Sequence, residues 1–132
     1  MAKKVLIIED QPQLRSMIVL ILRHMRYQPL EAKNGYEGIQ ITLAEHPALI
    51  LLDLGLPDMS GIDTAKKIKE NPQTRQIPIV ALTGSEPRQF EARARQAGMA
   101  AYLQKPVSLA MIVKQIETFT RPNAPQLSEN HC

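Results

Sequence analysis

The 132-residue sequence contains no tryptophan, one cysteine and only 4% aromatic residues. So few aromatic side chains argue against a surface on which single-stranded nucleic acid stacks its bases, because such a surface needs exposed rings. The only cysteine is Cys132, which excludes a disulfide framework and a zinc site built from cysteines.

Long apolar runs are also missing, and no segment is long enough to cross a bilayer. The N-terminal residues 1–4 lead directly into a short apolar run, Val5–Ile8. A secretory signal peptide needs a longer apolar region and a small-residue cleavage site, and neither is present. We therefore expect a cytoplasmic protein with no membrane contact.

The charged residues form no long run of one sign. The net charge is +3, from 16 basic and 13 acidic side chains, and the basic excess lies in residues 61–132. Without five or six like charges in succession, a solvated surface is favoured over a nucleic-acid patch. We expect no direct binding of nucleic acid.

Five short apolar runs alternate with five stretches in which apolar residues recur at helical spacing. The predicted strands are Val5–Ile8, Gln28–Ala32, Leu49–Leu52, Ile79–Leu82 and Ala101–Leu103. The helical patterns cover residues 14–25, 39–43, 62–68, 90–97 and 109–116, with Ser108 as a candidate N-cap of the last. Strict alternation predicts an α/β protein with a parallel sheet, helices on both faces and right-handed crossovers.

Polar and charged residues follow the predicted strands at their carboxyl ends, where α/β sheets place their ligands. They are Glu9, Asp10, Asp53, Thr83 and Lys105. Two carboxylates about 4 Å apart repel by about 1 kcal/mol in water and by several times more near a protein surface. Lys105 supplies one compensating charge, and Mg²⁺, which prefers oxygen ligands and phosphate, is the expected source of the rest. The implied chemistry is phosphoryl transfer.

The sequence resembles the receiver domain of two-component response regulators from residue 3 to about residue 120. The matching stretches are residues 5–10, 51–61, 77–84 and 101–106, and they include the spacing of Asp53, Pro57 and Gly61. P-loop and dinucleotide-binding fingerprints are absent. The resemblance implies a doubly wound, flavodoxin-like fold with five helices and a five-stranded parallel sheet in the order 2-1-3-4-5.

The resemblance also implies a set of functional residues around one phosphoacceptor. Asp53 would attack a phosphohistidine and become an aspartyl phosphate. Mg²⁺ would be held by Glu9, Asp10, Asp53 and the backbone carbonyl of Gly55. Many family members have aspartate at the first of these positions, and the longer Glu9 is an accepted variant that implies a water-mediated contact. Apart from self-phosphorylation and autodephosphorylation, no enzymatic activity is implied.

A second group of residues resembles the switch of the family. Thr83 would turn to bond the new phosphoryl oxygen, and Lys105 would form its ion pair. Pro106 is expected to follow a cis peptide bond. Tyr102 would rotate inward, facing the last two helices, and change the surface built from the fourth helix, the fifth strand and the fifth helix.

The resemblance implies partners rather than a small-molecule substrate. These are a sensor histidine kinase or a histidine phosphotransfer protein, and a protein target bound by the switching surface. We expect a monomer or a weak, phosphorylation-dependent dimer. Residues 1–121 are predicted to be the receiver domain and residues 122–132 a flexible tail. Gly55 and Ser85 would flank the path of hydrolytic water, with Gly55 offering no shield to the phosphoryl group.

Three alternatives to a stand-alone receiver remain open at this point. In the first, the chain is the N-terminal piece of a longer regulator with a DNA-binding or catalytic output domain. Another is an aspartyl-nucleophile phosphatase, although such enzymes need an acid where Gly55 stands. The third is a flavodoxin-like cofactor binder, although acids at residues 9 and 10 would repel its phosphate.

Overall fold

The computed structural model describes residues 2–84 and 87–120, and for residues 87–90 it describes the backbone alone. The described residues form five strands and five helices in strict alternation. In chain order these are β1 (Lys4–Ile8), α1 (Pro12–His24), β2 (Gln28–Ala32), α2 (Gly35–Glu45), β3 (Leu49–Asp53), α3 (Gly61–Glu70), β4 (Ile79–Thr83), α4 (Pro87–Gln96), β5 (Ala101–Gln104) and α5 (Leu109–Thr120).

The strands form one parallel sheet in the order β2-β1-β3-β4-β5. This confirms the predicted fold class and strand order. Every residue of β3 and β4 is buried, as expected for central strands covered on both faces. The predicted residue 122–132 tail and Ser85 lie outside the described residues.

Helices cover the two faces of the sheet in two layers. One buried cluster joins the sheet to α3 and α4 and includes Ile62, Ile68 and Ala94. The other joins it to α1 and α5 and includes Leu22 and Ile116. Successive side chains along β1 and β3 point to opposite faces of the sheet, so each of these strands contributes residues to both clusters.

Three strands run one residue further at their carboxyl ends than their apolar runs, and the added residues are polar. β1 instead begins one residue earlier, at Lys4. The added residues are Asp53 in β3, Thr83 in β4 and Gln104 in β5. Backbone pairing continues through them, as the Thr83–Gln104 pair shows. The apolar run therefore ends before the strand does, because a strand continues as far as its backbone pairs with a neighbouring strand.

Polar side chains cap three of the described helices, one of them at the residue that the sequence predicts. The Ser108 hydroxyl accepts a hydrogen bond from the backbone N–H of Met111 at 3.2 Å, which confirms it as a cap of α5. Asn34 and Ser60 cap α2 and α3 in the same way. Within the described residues, no helix is long and apolar enough to span a membrane.

Candidate functional site

The carboxyl ends of β1, β3, β4 and β5 meet at one edge of the sheet and line an open cavity of about 590 Å³. The residues predicted for the site contribute Asp10, Asp53, Gly55, Thr83 and Lys105 to its lining. Parallel pairing explains the arrangement, because all strands of such a sheet end at the same edge. The structure therefore brings together residues that are far apart in sequence.

Three carboxylates converge at this edge. Glu9, Asp10 and Asp53 each offer an oxygen, and these oxygens lie within 4.8 Å of one another. Glu9 and Asp53 are buried, whereas Asp10 is exposed. Asp10 and Asp53 line the cavity and Glu9 lies buried behind them. Oxygen donors at this spacing suit a hard divalent cation such as Mg²⁺.

Lys105 is the cation among the predicted site residues. Its Nζ lies 3.2 Å from Glu9 Oε1 and 3.3 Å from Asp53 Oδ1. Burial alone would lower the pKa of Lys105, but the charges of Asp53 and Glu9 outweigh it and raise that pKa above its ordinary value. Lys105 thus stays protonated and partly neutralises the acidic group.

Glu9 is the most deeply buried acid of the site. Burial, assisted by the charge of Asp53, raises the pKa of Glu9 from 4.5 to about 7, against the opposing effects of the Gln11 backbone and Lys105. Its Oε2 accepts a hydrogen bond from the Gln11 N–H at 3.1 Å. Its buried Oε1 lies 3.2 Å from the Lys105 ammonium and accepts no well-aligned hydrogen bond from the described residues. A buried carboxylate oxygen beside two further carboxylates is a suitable ligand for a hard divalent cation.

Asp53 is held by the loop that follows it. Its Oδ1 accepts a hydrogen bond from the Gly55 N–H at 3.1 Å. At the far end of the loop, a Cβ on Gly61 would lie 2.7 Å from the Asp53 carbonyl oxygen, so the start of α3 approaches β3 only because residue 61 is glycine. This close approach gives the Asp53–Gly61 spacing a physical reason.

Asp58 fastens the same loop to a different helix. Its two carboxylate oxygens accept hydrogen bonds from the backbone N–H groups of Gly35 at 2.8 Å and Tyr36 at 2.9 Å, at the start of α2. Burial acts in the opposite direction, but these bonds lower the pKa of Asp58. The loop is therefore anchored at residue 53, at residue 58 and at residue 61.

Arg15 on α1 holds the acidic turn after β1. Its guanidinium donates to the backbone carbonyl of Glu9 at 2.8 Å and its Nε lies 3.2 Å from the carboxylate of Glu31. Glu9 directly follows β1, and Glu31 lies in the neighbouring strand β2. Arg15 thus fixes the backbone from which two of the three carboxylates project.

Thr83 and Tyr102 occupy the neighbouring strands β4 and β5. Thr83 is buried at the end of β4, and its carbonyl accepts a hydrogen bond from the Lys105 N–H at 2.7 Å. The Lys105–Pro106 peptide bond is cis, as predicted. Tyr102 is half-buried, but the expectation that it faces the last two helices is only half right.

The Tyr102 ring packs on the layer that contains α3 and α4. Leu103, the next residue, packs with α5 on the opposite face of the sheet. The reason is the alternation of side chains along a strand: one residue of β5 cannot face α4 and α5 at once when these helices cover different faces.

Three residues near the site had no distinguishing sequence signal. Arg93 of α4 lines the cavity, Arg15 binds a carbonyl and Asp58 caps a helix that begins 23 residues before it. Each acts across the tertiary structure, and a charged residue on an amphipathic helix or in a loop is by itself indistinguishable from a solvated one.

A family model, a curated relative and solved structures all agree with the resemblance to receiver domains found in the sequence. Residues 5–117 match the family model of the response regulator receiver domain. The chain is 31% identical over 119 residues to the polar-differentiation response regulator DivK of Brucella ovis, covering 90% of this chain and 97% of that protein.

Solved structures share the fold. Chemotaxis protein CheY4 of Vibrio cholerae superposes with a TM-score of 0.85 at 23% identity, covering 90% of this chain and 99% of that one. The receiver domain of the sensor histidine kinase PA1611 of Pseudomonas aeruginosa, solved with a magnesium ion in its active-site cleft, has a TM-score of 0.83 at 26% identity, with 91% and 98% covered. The chain belongs to the response regulator receiver domain family of two-component signalling proteins.

Proposed function

We propose that the protein is a phosphorelay response regulator that accepts a phosphoryl group on Asp53. The observation that carries the proposal is the acidic group itself, with three carboxylate oxygens within 4.8 Å and the Lys105 ammonium 3.3 Å from Asp53. A receiver needs a nucleophilic carboxylate beside a cation site, and this arrangement supports both assignments. The donor is a histidine kinase or a histidine phosphotransfer protein.

In the proposed reaction, an oxygen of Asp53 attacks the phosphorus of a phosphohistidine. The new O–P bond forms as the N–P bond breaks, and the imidazole nitrogen keeps the electron pair and takes up a proton when it leaves. The Gly55 N–H and the Lys105 ammonium orient the Asp53 carboxylate, and Lys105 balances the growing charge. Burial of Asp53 among three anchors of its loop holds the nucleophile in one position.

Glu9, Asp10 and the carbonyl of Gly55 are the residues we assign to Mg²⁺, together with Asp53. Bound there, the ion would supply electrostatic stabilisation to the phosphoryl oxygens during transfer. The buried Oε1 of Glu9 supports the assignment, because it forms an ion pair with Lys105 at 3.2 Å but accepts no well-aligned hydrogen bond from the described residues.

Phosphorylation would act as a switch through Thr83 and Tyr102. An aspartyl phosphate adds charge and three acceptor oxygens at the end of β3. The Thr83 hydroxyl, on the next strand, would turn to donate to one of them, and the space it leaves would admit the half-buried Tyr102 ring. A target protein that prefers this state of the surface formed by α4, β5 and α5 would then bind more tightly.

The proposed unit of function is the receiver domain of residues 1–121, acting in the cytoplasm by protein–protein contact. The same residues would serve if an output domain followed in a longer chain. We propose a monomer, or a weak dimer formed on phosphorylation.

Labelling with acetyl phosphate and Mg²⁺ tests the proposal. Wild-type protein should gain one phosphoryl group by intact-mass measurement, and Asp53→Asn should gain none. Asp63→Asn is the matched control, because Asp63 is an exposed aspartate in the first turn of α3 and its loss should leave labelling unchanged. Undiminished labelling of Asp53→Asn would overturn the assignment.

A further inference from the structure

Arg93 is a cationic residue of the cavity that comes from a helix rather than from a strand end. It lies in the last turn of α4 and lines the same cavity as Asp53, Thr83 and Lys105. Ser60 and Ile62, from the start of α3, line the same cavity. The Arg93 side chain therefore shares a cavity with the carboxylate that we assign as the phosphoacceptor.

The charge balance of the site explains why a second cationic side chain would be useful there. With all three carboxylates ionised, as a bound cation would favour, and Lys105 protonated, the site carries two net negative charges, which one divalent cation would neutralise. Phosphorylation replaces the single charge of the Asp53 carboxylate by the nearly two charges of a phosphoryl group. About one negative charge is then left over, and Arg93 supplies one positive charge.

The side chain also has the right shape. A guanidinium is planar, permanently charged and donates two parallel hydrogen bonds, which suits phosphoryl oxygens better than a point charge does. We propose that Arg93 binds the phosphoryl group, both in the arriving donor and on Asp53 after transfer. This inference rests on the proposed function and adds a phosphoryl-binding residue to it.

Neighbouring Arg95 provides a matched control. It lies two residues further along α4, is exposed, and forms an ion pair with Glu91 at 2.5 Å one turn earlier. It is absent from the residues that line the cavity. Arg93→Ala and Arg95→Ala therefore remove the same charge from the same helix, and only the first removes it from the cavity.

The experiment measures the rate of phosphorylation of each protein against acetyl phosphate concentration at saturating Mg²⁺. It also measures the affinity for beryllofluoride, which mimics the phosphoryl group. Arg93→Ala should weaken beryllofluoride binding about tenfold, the lower end of what one charge-assisted hydrogen bond contributes. Arg93→Lys should recover part of the loss, because it restores the charge without the planar fork.

Four results are decisive. A loss specific to Arg93→Ala, with Mg²⁺ affinity and melting temperature equal to those of Arg95→Ala, supports the inference. Equal rates and beryllofluoride affinities in the two alanine variants would overturn it. If Arg93→Ala fails to fold, Arg93→Lys and Arg93→Gln decide, and wild-type behaviour of both would overturn it. Failure of the wild type to label at Asp53 would instead overturn the proposed function.

Discussion

The Lys105 ammonium lies 3.2 Å from Oε1 of Glu9, an oxygen that is fully buried and accepts no well-aligned hydrogen bond from the described residues. The pair explains how three carboxylates coexist at one edge of the sheet. Burial raises the pKa of Glu9 to about 7, so this carboxyl group loses its proton less readily than an ordinary one. The Lys105 ammonium beside it has a raised pKa and stays charged.

A dependence of stability on pH follows from Glu9. Its ordinary pKa of 4.5 rises to about 7 in the folded protein, so between these values the unfolded chain has released a proton that the folded chain still holds. Ionisation then favours the unfolded state, and this part of the stability falls as the pH rises from 4.5 to 7.

Urea unfolding in EDTA, at pH values on either side of this window, measures the effect. The free energy of unfolding of wild-type protein should fall more steeply with pH than that of Glu9→Gln, which cannot ionise. Parallel pH profiles for the two proteins would contradict the raised pKa. Millimolar Mg²⁺ should flatten the wild-type profile, because the ion favours the carboxylate.

Mg²⁺ should stabilise the folded protein by mass action. At ten times its dissociation constant, which we place in the sub-millimolar to millimolar range, a bound ion adds about 1.4 kcal/mol to the free energy of unfolding. Asp10→Ala removes one of the three carboxylates and should reduce the increase in melting temperature on adding Mg²⁺. Asp63→Ala, which removes an exposed carboxylate from α3, should keep it. A wild-type melting temperature that ignores millimolar Mg²⁺ would refute the metal site.

Asp58 should contribute stability through the start of α2. Asp58→Ala removes the acceptor of two backbone hydrogen bonds, and a lost helix cap costs about 0.5–2 kcal/mol. Asn34→Ala, which removes the other cap of the same helix, is the comparison. Because the pKa of Asp58 is lowered, its contribution is present above the ordinary pKa and is lost as the pH falls through the lowered one. Urea midpoints that do not change in Asp58→Ala would show that the anchor contributes nothing.

Coupling between Thr83 and Tyr102 can be followed in the protein alone. Fluorine NMR of protein labelled with fluorotyrosine should show the Tyr102 signal moving when beryllofluoride and Mg²⁺ are added. The signal of Tyr36, which is 64% exposed on α2, should not move. In Thr83→Ala the binding should persist while the Tyr102 shift is lost, because the hydroxyl is not the nucleophile.

The same coupling should appear in partner affinity. An allosteric free energy of about 1–3 kcal/mol would raise affinity for a target about 5- to 150-fold on phosphorylation. Equal gains in wild type and Thr83→Ala would mean that Thr83 does not transmit the signal. No gain in either would indicate a relay in which Asp53 only passes the phosphoryl group onward.

The fold was predictable from sequence because its determinants are local and repeated. Apolar runs such as Leu49–Leu52 alternate with helical patterns, and parallel pairing then brings the polar residue after each run to one edge. The cap of α5 was equally local, because Ser108 directly precedes that helix.

The rest could not be predicted because it depends on contacts across the structure. The side of the sheet that Tyr102 faces follows from the layer in which α4 packs, and the anchoring of Asp58 joins residues 23 positions apart. Arg93 differs from Arg95 only in the direction in which α4 presents it. Charge and helical spacing are the same for such residues whether they line a cavity or face solvent.

The most direct test of the central claim is the chemical location of the phosphoryl group. Borohydride cleaves an aspartyl phosphate reductively and leaves homoserine at the modified position, which tandem mass spectrometry of peptides identifies. After treatment with acetyl phosphate and Mg²⁺, we predict homoserine at position 53 and at no other aspartate. Homoserine at Asp10 or another aspartate, or none in protein that carries a phosphoryl group, would contradict the assignment of Asp53 as the phosphoacceptor.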